Sequence, residues 1–146
     1  MLSPYAGNVG QTETGDSAIA RFDPYPAVGV PGMTAFIKYV TFDCADPRRL
    51  AAFWSEVTGY VSLIQRDDFA ALAAPDERGV RGILFWQVPE PKRAKSRMHV
   101  DLASKEPETE MQRLVGLGAT IVEQREGNGT SWTVMLDPEG NEFCIG

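Results

Sequence analysis

The chain has 146 residues, 43% of them hydrophobic, which is enough for one ordinary globular domain. A formal charge of -6 and a pI near 4.8 exclude the basic face that a nucleic-acid binder needs. No apolar run is long enough for a membrane span, and the N-terminus lacks the basic-then-apolar plan of a secretory leader. The two cysteines, Cys44 and Cys144, fall short of a disulfide framework, so a reducing cytoplasm is the expected compartment.

Residues 1–32 are rich in Gly, Pro, Ser and Thr without a sustained period, and read as an arm, flexible or laid along a surface by Tyr5, Phe22 and Tyr25. The globular part spans 33–146. TAFIKYVTFDC is β-rich, with Phe36, Val40 and Phe42 on one parity and Tyr39, Thr41 and Asp43 on the other. Asp46 then offers an N-cap and Pro47 a first helical position. Leu50, Phe53, Trp54 and Val57 form a helical apolar stripe facing the core, and Gly59 is placed to end it. Three strand-like segments follow, YVSLIQR, DFAALAAP and GILFWQV, completing a first module over 33–88.

Residues 89–96 read as a linker, since prolines break ladders and clustered basic residues prefer water. The same plan then begins again over 97–146. RMHVDLAS is a strand, and PETEMQRLVGLG a helix with Met111, Leu114 and Val115 inward. ATIVEQRE, GTSWTVML and NEFCI are three further strands, the last two joined by a DPEGN turn. Tyr39-Val40 through Asp46-Pro47 lies 60 positions before His99-Val100 through Glu106-Pro107. The simplest account is an α+β fold of two βαβββ modules. Their strands are expected to form a curled, partly closed mixed sheet around a cavity, with the helices on the convex side.

Paired βαβββ modules, a D-P-x-x-L-A-x-F-W-x-x-x-x-G-Y helix and a closing D-P-E-G-N-E-F-C resemble the vicinal oxygen chelate superfamily (glyoxalases, bleomycin resistance proteins and dioxygenases). Within it the chain is most similar to the actinobacterial glyoxalase-like branch, and VPEPK looks like that branch's inter-module linker. The resemblance runs from about Phe36 to Gly146. Metal-bearing members draw ligands, usually His and Glu, from the first and last strands of each module. The corresponding positions here are Tyr39 and His99, then Cys144, with Trp86 or Gln87 as its counterpart in module one. Only His99 is a conventional ligand among these, and Trp offers no lone pair. The resemblance therefore implies a metal-free site; were a metal held, His99, Cys144 and Glu142 would be its ligands.

The concave face is expected to carry Tyr39, Thr41, Asp43, His99, Asp101 and Cys144, with Glu142 at its rim. His99 and Asp101, two apart on one strand, point the same way. A histidine beside a carboxylate suits proton transfer, with Asp43, Asp101 or Tyr39 assisting His99; a structural polar network is the alternative. Trp86, Gln87, Thr41, Cys144 and Glu142 are candidate ligand contacts. KRAKSR reads as a solvated linker or as a cationic rim for an anionic ligand. The expected function is metal-independent binding of a small organic molecule, with lyase- or isomerase-type chemistry at His99. The alternatives are a non-catalytic, drug-sequestering binder and a metal-dependent enzyme with an altered ligand set. The resemblance also implies a homodimer; no nucleic-acid or membrane partner is expected.

Overall fold

The computed structural model describes residues 37–75, 80–127 and 129–146. The expected arm at 1–32 lies outside them. Module one comprises β1 (Tyr39–Cys44), α1 (Pro47–Thr58), β2 (Val61–Gln65), β3 (Phe69–Ala73) and β4 (Gly82–Gln87). Module two comprises β5 (Val100–Leu102), α2 (Pro107–Gly116), β6 (Thr120–Gly127), β7 (Thr130–Leu136) and β8 (Glu142–Ile145). Each module folds its strands into one mixed sheet, in the orders β1-β4-β3-β2 and β5-β8-β7-β6. The first and last strands of each module are parallel, and the remaining pairs are antiparallel. The repeat extends to irregularities: β2 bulges between Ser62 and Ile64, and β6 between Ile121 and Glu123.

The expected single curled sheet is replaced by two four-stranded sheets, neither strongly curled. The reason lies in the strand edges. Among the described residues, β1 pairs only with β4 and β5 only with β8, so no backbone ladder crosses between modules. Side chains make the junction instead.

Helix α1 forms where the sequence signals it. Asp46 accepts a hydrogen bond from Arg49 N at 3.0 Å, Pro47 opens the first turn, and Gly59 closes the helix with a left-handed φ of 71°. Its buried face, Leu50, Ala51, Phe53 and Trp54, enters a core that also holds Phe85, Leu114, Met135, Phe143 and Ile145. Burying each large side chain of this kind contributes about 1.5–3 kcal/mol. Helix α2 is less embedded. Leu114 is its one buried residue, whereas Val115, expected inward, is 44% exposed because it lies about 100° around the helix from Leu114.

The DPEGN turn ties the modules. Gly140 N donates to Asp137 O at 2.9 Å, and Gly140 takes the left-handed φ of 82° that lets the strand resume, with Asp137 N donating to Asn141 O. The Asp137 carboxylate is buried and accepts from Glu139 N, Asn141 N and Asn141 Nδ2 within the turn. It also accepts from Trp54 Nε1 in α1, at 3.1 Å. Trp54, which the sequence marks as core, therefore also bridges the modules, its ring packed against Phe42 and Phe143. The Glu139 carboxylate reaches the other way and accepts from Ala45 N at 2.6 Å and Asp46 N at 2.7 Å, where β1 hands over to α1.

Asp137→Ala should destabilise the domain by about 2–4 kcal/mol, since it strands the indole N–H and the turn amides. Trp54→Phe keeps the ring packing, drops one bond and should cost about 1–2 kcal/mol. Urea unfolding measures both, with the larger fall in midpoint for Asp137→Ala.

Candidate functional site

Strand register builds the site. In the parallel β5–β8 pair Asp101 lies beside Cys144, and in the antiparallel β7–β8 pair Val134 lies on Cys144's other side. His99, two residues before Asp101, projects to the same face. Asp101, on the edge strand β5, and His99, just before that strand begins, keep their side chains 71% and 40% exposed, whereas Cys144 is buried. His99 Nδ1 lies 2.8 Å from Asp101 Oδ1 and 3.8 Å from Cys144 Sγ. One ligand atom from each of the three residues falls within 4.8 Å of the others.

This cluster lies in a groove of about 580 Å³ on the sheet of module two. Trp132, Val134 and Leu102 supply apolar surface, and Lys95 and Arg125 supply positive charge. Arg125 is held by Glu123, its neighbour two residues back on the same strand. A second cleft, of about 510 Å³, adjoins at Thr130 and Ser131 but brings in only Glu126, Gly127 and Gly129 besides.

Glu142 lines the groove without being free to work in it. Its carboxylate accepts from Ser96 N at 3.0 Å and pairs with Lys92 Nζ at 3.1 Å, fastening the linker to β8. Burial pushes this carboxyl up, but the hydrogen bonds from Ser96 and Lys92 outweigh it and bring the pKa from the ordinary 4.5 down to about 2. Two residues of the basic run are thus taken up differently: Lys92 by the latch, Lys95 by the groove. Burial, then the charge and hydrogen bond of Asp101, push the Cys144 thiol up, against a downward pull from Lys95 and Arg125. Cys44, in the core with its thiol donating to Trp86 O at 3.4 Å, is pushed up to about 12 by burial and then by Glu139, Asp43 and Asp46. Neither thiol is an activated nucleophile.

The other expected site residues lie in module one and do not line this groove. Thr41 and Asp43 are exposed on β1, and the Tyr39 ring lies over Gly82, where an added Cβ would come within 3.2 Å of it. Trp86 packs at a tilt of 46° against Phe69 with ring centroids 4.5 Å apart, and Gln87 donates to Ala45 O. Register also corrects one correspondence. Thr41 pairs with Leu84 as Asp101 pairs with Cys144, so the module-one counterpart of Cys144 is Leu84, not Trp86 or Gln87. Leu84 is buried and has no donor atom. The residues present therefore do not fit a metal shared between the two modules. The signal that would have placed Leu84 was in the sequence: the 60-residue offset itself.

Residues 39–146 match the glyoxalase-like domain family. The chain belongs to that family. Solved structures with this fold include a glyoxalase/bleomycin resistance protein/dioxygenase family enzyme from Burkholderia phytofirmans PsJN. It is 24% identical, with a TM-score of 0.62 over 76% of this chain and 97% of that one. A glyoxalase-related enzyme from Fulvimarina pelagi is 16% identical, with a TM-score of 0.59 over 77% of this chain and 87% of that one. A fosfomycin resistance protein from Listeria monocytogenes, solved with Mn(II) and a dihydroxypropylphosphonic acid, is 12% identical. Its TM-score is 0.62, over 77% of this chain and 89% of that one. At these identities the likeness is one of fold. No curated protein matches the sequence. Among the described residues no helix of the glyoxalase-like domain is long and apolar enough to cross a membrane.

The latch predicts an acid dependence. A carboxylate whose folded pKa is depressed contributes stability that is full above its unfolded value of 4.5 and is lost as pH falls towards 2. Glu142→Gln should lower stability near neutrality by about 1–2 kcal/mol, and its gap from the parent chain should close between those pH values. Chemical unfolding across that range measures it. In native protein at pH 8, a disulfide reagent should leave Cys44 unmodified and label Cys144 slowly; denaturant should release both.

Proposed function

We propose that this glyoxalase-like protein binds a small organic molecule in the groove of module two, where His99, oriented by Asp101, transfers a proton in lyase- or isomerase-type chemistry that needs no metal. The observation carrying this is the 2.8 Å His99–Asp101 pair on the floor of a groove with an aromatic wall. With Nδ1–H donating to Asp101, Nε2 keeps the lone pair that a general base uses. Trp132 offers a face for a flat or apolar body, and Lys95 favours a ligand with a negative group. A homodimer working in the cytoplasm, from the actinobacterial branch, belongs to the same proposal.

The second reading is a non-catalytic binder, favoured by the exposure of Asp101 and His99, since an open, watery floor weakens electrostatic catalysis. A thermal-shift screen of small carboxylates, phosphonates and aromatic acids comes first, followed by product analysis of the hits. For an enzyme, His99→Ala should cut turnover by at least about a hundredfold while affinity persists. A ligand returned unchanged supports the binder. Hits whose affinity survives Trp132→Ala and Lys95→Ala together would remove the groove from either reading.

A further inference from the structure

We infer that Glu142 is a positioning residue: through its grip on the linker it holds Lys95 in the groove as the docking point for the negative group of an aromatic organic anion. This role rests on the groove being the binding site, as proposed above, and narrows its ligand to one class. The charges that line the groove point to that class. His99 pairs with Asp101, Arg125 with Glu123, and Glu142 with Lys92. Lys95 lines the groove with them and, among the described residues, has no hydrogen-bond or ion-pair partner. An uncompensated ammonium near the apolar wall of Trp132 suits a ligand that brings both an anionic group and a flat apolar body.

Lys95 owes its place to its neighbours in the chain. Lys92 Nζ donates to Ala94 O at 2.6 Å and pairs with the Glu142 carboxylate at 3.1 Å. Ser96 N donates to the same carboxylate at 3.0 Å. The residues on either side of Lys95 are thus both held, one by its carbonyl and one by its amide, and both holds meet at Glu142. The Glu142 side chain is only 15% exposed, so water competes weakly for it. Trp132 is placed as well, its ring lying over Gly127, where an added Cβ would come within 3.2 Å. The Lys95 charge reaches the groove floor, where with Arg125 it pulls the Cys144 thiol down against burial and Asp101. Holding the linker in advance leaves less ordering to be done when a ligand arrives.

The test titrates the full chain, near neutral pH, with two fluorescent probes of one aromatic framework: 8-anilinonaphthalene-1-sulfonate and the neutral N-phenyl-1-naphthylamine. The sulfonate should bind at a single site and at least about fivefold more tightly than the neutral probe. Lys95→Met should erase that preference. Glu142→Gln should weaken the sulfonate at least about threefold and leave the neutral probe unchanged. Lys92→Met, which breaks the latch from its more exposed end, should do the same. In the Lys95→Met background Glu142→Gln should cost the sulfonate nothing further, since both changes act through one ammonium. Equal weakening of both probes by Glu142→Gln, additive losses in the double variant, or a preference that survives Lys95→Met would each overturn the inference. So would no sulfonate binding at about 0.1 mM. Trp132→Ala separates the two levels. If it weakens both probes, the groove is the site, and failure of the charge variants counts against the role of Glu142 alone. If neither probe responds, the groove reading falls together with that role.

Discussion

A carboxylate taken out of water has to collect donors, and Asp137 collects them from both halves of the molecule. Its own turn supplies three N–H groups from two residues, and helix α1 supplies the Trp54 indole. The next acidic residue, Glu139, caps backbone amides at the entry to α1. Since, among the described residues, no strand pairing links the two sheets, these contacts and the aromatic packing of Trp54 and Phe53 on Phe143 help to hold the modules together. The turn that follows β7 thus does three jobs: it reverses the chain, it aims β8, and it fixes where module one sits. Cys144 takes its position from the strand that this turn aims.

The two modules repeat one backbone plan and spend its open face differently. In module one the floor of that face is apolar, with Tyr39 over Gly82, Leu84 buried and Trp86 packed at a tilt on Phe69, while Thr41 and Asp43 stay exposed at the edge strand. In module two the equivalent positions carry His99, Asp101 and Cys144 around an accessible groove. Filling one face with apolar side chains stabilises the fold, and polar groups on the other then cost less in proportion. The groove has accordingly opened on one half of a pseudo-symmetric scaffold.

Much of this was legible in the sequence because it is locally encoded. The positions of the helices, the Asp46 cap, the Gly59 stop, the glycine turn and the 60-residue repeat all follow from residue type and spacing. The pairing of His99 with Asp101 is legible too, since strand alternation alone puts i and i+2 on one face. What sequence could not give depends on partners far along the chain. Whether β1 and β5 join their sheets is a question of edge pairing. Whether Glu142 is a ligand or a latch is decided by Lys92 and Ser96, 50 and 46 positions away. The counterpart of Cys144 was a matter of register: the family resemblance pointed to Trp86 or Gln87, while strand partners point to Leu84.

The 83 positions between Trp54 and Asp137 also bear on how the chain reaches this state. Bringing such distant groups together requires closing a large loop before any contact rewards it, an entropic toll that slows folding in proportion to how non-local the native contacts are. Until that closure the Ala45 and Asp46 amides and the Trp54 indole have only water as partner. A half-folded chain with module one formed and module two unformed therefore gains little, and the two repeats, alike as they are, should fold as one kinetic unit instead of two.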